Sequence, residues 1–171
     1  MNILTFDIEE WVLANACSNR SKCQEYDQLL AEILDLLDEH RLKGTFFCVG
    51  RMATEYPDVV KTIAGKGHEI GCHSNAHSWL TTMTPDELRL DTTTAVKALE
   101  DVCGKRVVGY RAPAFSIGEK NRWAIEVLAE CGIERDASIF PAVRDFGGFD
   151  KFGQKVPSIV KCNGVSMKEF P

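Results

Sequence analysis

The 171-residue chain holds no apolar run approaching the roughly 20 residues needed to cross a bilayer. Its seven cysteines (Cys17, Cys23, Cys48, Cys72, Cys103, Cys131 and Cys162) contain no C-x-x-C pair. An odd count without that spacing fits neither a disulfide framework nor a structural zinc site, so most read as small core residues. A long basic run is also missing, and the net charge of -5 argues against nucleic acid as a partner while leaving uncharged ligands open. The opening MNILTFDIEEW lacks the basic flank and small-residue cleavage site of a signal peptide. The expectation is a cytoplasmic protein, or one acting at the cell envelope, without a transmembrane segment. Histidine is scarce as well: there are four, and none follows His77.

What is present follows a regular order. NILTF at 2–6 reads as a buried strand with acids behind it, and the stretch 26–42 sets Leu29, Leu30, Ile33, Leu34, Leu36 and Leu37 on a helical period. TFFCV is strand-like, PDVVKTIAGKG a helix with Pro57 in its first turn, and HEIGC a third strand. Residues 84–104 open with Thr84 as cap, Pro85 next and Glu87 three after the cap, and stop at Gly104. RVVGY is a fourth strand, GEKNRWAIEVLAECG a fourth helix, and GIERDAS contains a fifth strand; after residue 140 the pattern weakens, with short strands at 158–162 and 165–168. Alternating strands and helices predict an α/β fold with a parallel sheet, as one domain over 1–171, either open or closed into a barrel. Functional residues of such folds collect at the carboxyl ends of the strands. There the sequence places Asp7, Glu9 and Glu10, then His73 and His77, then Arg111, then Asp136 and Ser138.

His73 and His77 stand four apart in EIGCHSNAHSWL, a spacing that would put both imidazoles on one face of a helical turn. Ser74 occupies the place where the two-histidine protease motif carries its glutamate, so a base has to come from elsewhere. Two histidines and one carboxylate form a three-ligand set with a position open for water, and a second carboxylate can take the proton of that water. FDIEEW supplies both acids, since Asp7 and Glu9 project to one side of an extended segment. Each of these residues alone reads more simply as a capping acid, a surface ion pair or a turn residue. Their joint placement favours chemistry. His40 and His68 read as a helix-end cap and a strand-start residue. Trp11, Trp79 and Trp123 are candidates to stack on a flat ligand surface, with Trp123 better placed in the core.

Four segments in order, LTFDIEEW, HSNAH, YRAPAFS and RDASIFP, resemble the motifs of the polysaccharide deacetylase family, the NodB-homology domains. The resemblance is closest to a subgroup with a DxExW-like first motif associated with capsule and exopolysaccharide genes. It implies a distorted, incomplete (β/α) barrel and a metal-dependent hydrolase that removes acetyl groups, N-acetyl above all, from a polysaccharide or sugar. Carried over, Asp7 is the base, Glu9, His73 and His77 hold a divalent ion with zinc the first choice, and Arg111 orients and charges Asp7. Pro113, Ala114, Asp136 and Ser138 are the substrate-binding positions, with backbone N–H groups near 112–114 able to support an oxyanion. Ile8 stands where the family usually has its metal carboxylate; Glu9 takes the role, with Glu10 the alternative. The family's fifth motif would add a histidine as general acid, and the expectation is that the chain stops before it, lacking the C-terminal part of the domain. Two other readings share the fold: a non-catalytic carbohydrate-binding or assembly module, and a metal-independent allantoinase-like amidase.

Overall fold

The computed structural model describes residues 3–13, 20–144 and 147–171; Cys17 and the start of the first predicted strand lie outside them. The elements are β1 (Thr5–Ile8), α1 (Glu10–Leu13), α2 (Arg20–Glu39), β2 (Thr45–Cys48), α3 (Gly50–Glu55), α4 (Pro57–Gly65), β3 (Glu69–Cys72), α5 (Pro85–Cys103), β4 (Gly109–Tyr110), α6 (Ala124–Glu130), β5 (Arg135–Asp136), β6 (Ser158–Cys162) and β7 (Val165–Glu169). They build a seven-stranded sheet in the order β1-β2-β3-β4-β5-β7-β6. Every neighbouring pair is parallel except the closing β6–β7 hairpin. Among the described residues the sheet is not closed, with β1 and β6 at its edges, which is the incomplete form of the barrel.

The helices form where the apolar period and the caps coincide. On α2 the buried leucines are Leu30, Leu34 and Leu37, spaced by four and three, while Leu29 and Leu36 face outward. At α5 the Thr84 side chain accepts from Glu87 N–H and the Glu87 carboxylate reaches back to Thr84, a capping box that opens a helix of 19 residues ended by left-handed Gly104. Four helices depart from the sequence expectation. α2 begins at Arg20, six residues earlier than the period indicated. The short helices α1 and α3 fill stretches read as loops. α6 spans only Ala124–Glu130, because Glu119–Asn121 forms a separate 3₁₀ turn.

Strand register decides which side chains share a face. Ile8, Cys48, Cys72, Tyr110, Asp136 and Glu169 are matched partners across adjacent parallel strands. With the period of two, the preceding row of Asp7, Phe47, Gly71 and Gly109 shares its face with the residues that follow the strand ends, Glu9, His73 and Arg111. Cys48 and Cys72 fall on the opposite face, fully buried, and burial pushes both thiols up. They are core residues, as expected for most of the cysteines.

Candidate metal centre

The carboxyl ends of β1 and β3 bring Glu9, His73 and His77 to one point, their ligating atoms all within 4.8 Å of one another. Glu9 Oε2 lies 3.0 Å from His73 Nε2 and 2.8 Å from His77 Nε2. No helix sets this spacing. Residues 74–76 form a turn, with Ser74 at φ 63° and His77 at φ 58°, and the rings meet edge to face at 5.2 Å between centroids. Left-handed backbone at a non-glycine residue costs about 1–3 kcal/mol and persists only where the surroundings fix it. Here they do. Asp91 on α5 accepts from Ser74 Oγ at 3.2 Å and from Asn75 N–H at 3.0 Å, and the first amides of α3, Gly50 and Arg51, donate to the carbonyls of Ser74 and Asn75.

The protons in the cluster are fixed by its surroundings. His73 Nδ1 donates to the Arg111 carbonyl at 2.7 Å, so the neutral ring presents a bare lone pair on Nε2. That lone pair faces Glu9 Oε2, a buried oxygen that has no donor while both imidazole Nε2 atoms are unprotonated and gains one when either is protonated. Acceptor facing acceptor calls for a cation or a proton between them. A divalent ion fits the donor set, two imidazoles and a carboxylate with an outer hydrogen bond on one imidazole. Burial raises Glu9, yet the hydrogen bonds and charges of His73 and His77 outweigh it and hold the carboxyl at about 2. The hydrogen bond to Glu9 raises His77, against burial.

Beside this cluster Arg111 gathers the mouth. Its Nη1 donates to Asp7 Oδ1 at 2.9 Å, Nη2 to Thr5 Oγ1 at 2.9 Å and Nε to the Ala137 carbonyl at 3.1 Å. The guanidinium lies 4.4 Å over the Phe47 ring. Phe47 can lie flat there because Gly71 and Gly109 face it: a Cβ on Gly71 would stand 2.5 Å from the ring. Asp7 is thus tied to Arg111 while Glu9 turns to the histidines, and Glu10 opens α1 outside the ligand cluster.

Against this geometry the sequence family is decisive: residues 2–135 match the family described as polysaccharide deacetylase. The chain belongs to the polysaccharide deacetylase family. A peptidoglycan-N-acetylglucosamine deacetylase of Bacillus cereus is 36% identical over 96 residues, covering 56% of this chain and 35% of that protein. A chitooligosaccharide deacetylase of Azorhizobium caulinodans is 37% identical over 97 residues, covering 56% of this chain and 43% of its own length. A crystal structure from Mycobacterium smegmatis assigned to the polysaccharide deacetylases superposes with a TM-score of 0.77 at 30% identity, over 98% of this chain and 56% of that one. The chain therefore spans less than half the length of these two curated relatives.

Within this deacetylase fold the expected substrate contacts divide. Ala114 is half-buried at the mouth, with a left-handed φ of 55°, and Pro113 is buried beneath it. Asp136 and Ser138 are 1% and 0% exposed and stand behind the mouth, away from its surface. The physical reason is register: Asp136 matches Tyr110, one residue before Arg111, and so faces the other way. Ser138 Oγ accepts from Ala112 N–H at 2.7 Å, which removes that amide from any oxyanion role. Trp11 is buried, with its indole N–H on Asp27, and Trp123 packs against the core; Trp79 is 40% exposed two residues after His77. Phe47, Thr5 and Asp91 escaped the sequence reading. A phenylalanine in TFFC looks like any core residue, and nothing local marks Asp91 as a buried acceptor.

Proposed function

We propose that this chain carries the acetyl-removing centre of a metal-dependent carbohydrate deacetylase, with Glu9, His73 and His77 as ligands, Asp7 as base and Arg111 as the residue that aims it. The observation that carries the reading is the meeting of Glu9 Oε2 with two imidazole nitrogens at 3.0 and 2.8 Å, beside an Asp7–Arg111 pair at 2.9 Å. Glu9, His73 and His77 would hold a divalent ion, zinc by preference, and that ion would supply Lewis acidity for hydrolysis of the acetyl group. Asp7, about one-third exposed at the mouth, receives the proton from the water. Arg111 fixes the carboxylate by a direct hydrogen bond while its ring-stacked plane and its bonds to Thr5 and Ala137 prevent it from turning away. N-acetylated amino sugars of a polysaccharide are the substrate class we favour, because the chain is similar to a peptidoglycan-N-acetylglucosamine deacetylase and to a chitooligosaccharide deacetylase. The convergence of three ligands speaks against a metal-independent amidase.

Departure of an amine needs a proton, and the remaining histidines, His40 and His68, lie toward the amino ends of β2 and β3, away from the mouth. Aryl acetate esters leave without that help. With zinc present, the 171-residue chain should release acetate from an aryl ester and do so on the order of a hundred- to ten-thousand-fold less well from an N-acetylated chitooligosaccharide, the usual worth of a general acid. Equal cleavage of both would show that a proton donor lies among the residues described. Zinc binding with cleavage of neither would favour the carbohydrate-binding module.

A further inference from the structure

Two carboxyls behind the mouth are left without a role by the chemistry above. Asp136 and Glu169 are matched partners on the adjacent strands β5 and β7, and both are buried, 1% and 0% exposed. Each gives one oxygen to the segment 136–139: Asp136 Oδ1 accepts from Ser138 Oγ, and Glu169 Oε1 accepts from Ile139 N–H at 3.1 Å. The other oxygens, Asp136 Oδ2 and Glu169 Oε2, are buried and have no hydrogen-bond partner among the described residues, so one proton placed between them would satisfy both. Two carboxylate oxygens hydrogen-bond only through a proton, since ionised carboxylates accept and do not donate.

We propose that Glu169 is a positioning residue that carries the shared proton, donates it to Asp136, and so holds the segment that aims Arg111. The route is continuous. Ser138 Oγ, donating to Asp136, accepts from Ala112 N–H at 2.7 Å; the Ala137 carbonyl accepts from Arg111 Nε at 3.1 Å; the Arg111 carbonyl accepts from His73 Nδ1 at 2.7 Å. Loss of the proton would set two like charges against each other beneath this segment and loosen both Arg111 and the outer hydrogen bond of a metal ligand. Only that last link rests on the deacetylase reading.

The surroundings agree. Burial and then the charge of Asp136 push Glu169 up to about 11, with Ile139 N–H and the Arg111 charge opposing. Burial also raises Asp136, against its hydrogen bonds from Glu169 and Ser138. On the hairpin side the partner of Glu169 is Ser158, and Lys161 of β6 is exposed. On α6, Glu126 bonds Asn163 and Glu130 pairs with Arg89. Between the ordinary carboxyl range and about 11 the folded chain holds this proton and the unfolded chain does not, so folding stability falls as pH rises across that window.

Glu169→Gln keeps a donor for Asp136 and an acceptor for Ile139 N–H, and it has no proton to lose; Glu169→Ala removes both bonds. Thermal unfolding from pH 5 to pH 9 and zinc affinity at neutral pH should be measured for the parent and both variants. The glutamine variant is expected to be at least as stable as the parent at pH 9, to lose less stability with rising pH, and to keep its zinc affinity. The alanine variant is expected to be less stable throughout and to bind zinc about tenfold more weakly, as outer-shell losses do. A glutamine variant that is destabilised like the alanine one, or that keeps the parent's slope with pH, overturns the proposal. Should the alanine variant fail to fold, the glutamine comparison decides alone. Failure of the parent to cleave an aryl acetate would sink the deacetylase reading and leave the unfolding comparison intact.

Discussion

His73 is placed on both sides of its ring: Nδ1 donates to the Arg111 carbonyl at 2.7 Å, and Nε2 faces Glu9 Oε2 at 3.0 Å. That arrangement separates the two acids of the first loop by task. Asp7→Asn should leave zinc affinity nearly unchanged while removing hydrolysis by about a hundredfold or more, whereas Glu9→Gln should weaken zinc binding first. The reverse pattern, read by calorimetry beside acetate release, would exchange their roles. Protons compete with the ion at the same atoms. The metal-free chain gains stability from Glu9 above its ordinary 4.5, lost as pH falls toward about 2, and from His77 below its ordinary 6.5, lost as pH rises through its raised value. Zinc must displace the proton from His77. Zinc affinity should therefore climb with pH, by up to about tenfold per unit for each displaced proton, and titrations in buffers of different ionisation enthalpy should show proton release. A flat dependence between pH 5.5 and 7.5 would exclude His77 as a ligand.

At the scale of elements, the mouth depends on how β2, β3 and β4 lie together. Phe47 spreads across Gly71 and Gly109, and the Arg111 guanidinium rests on it at 4.4 Å. Gly71→Ala would put a methyl 2.5 Å from that ring. The variant should be destabilised by about 1–3 kcal/mol in urea, the usual cost of overpacking, and should lose hydrolysis more than zinc binding because the ring moves Arg111 before it moves His73. An unchanged variant would mean the ring has room. These relations mark the limit of what sequence can convey. The order of strands and helices, the capping box at Thr84 and the strand-end placement of Glu9, His73, His77 and Arg111 follow from local period and spacing, and they are readable. The face of Asp136 is not, because it depends on the register of a two-residue strand against β4. Nor is the turn geometry of the histidine loop: a spacing of four suggests a helix, while Asp91, from a helix beginning eight residues after His77, holds a left-handed Ser74.

For the molecule as a whole, the parallel sheet is what makes a site from distant residues. Six strands running one way align their carboxyl ends in one row, so acids from residues 7–9, histidines from 73–77 and an arginine at 111 meet at one mouth. A bound ion would join β1 to β3 through Glu9, and the folded chain should gain stability by mass action as zinc is added. The most direct measurement is calorimetric titration of zinc into the metal-free parent, His73→Ala and His77→Ala chains. One ion per chain is expected for the parent, with affinity lost by at least about tenfold in each variant. Parent-like binding by either histidine variant would contradict the assignment of the site.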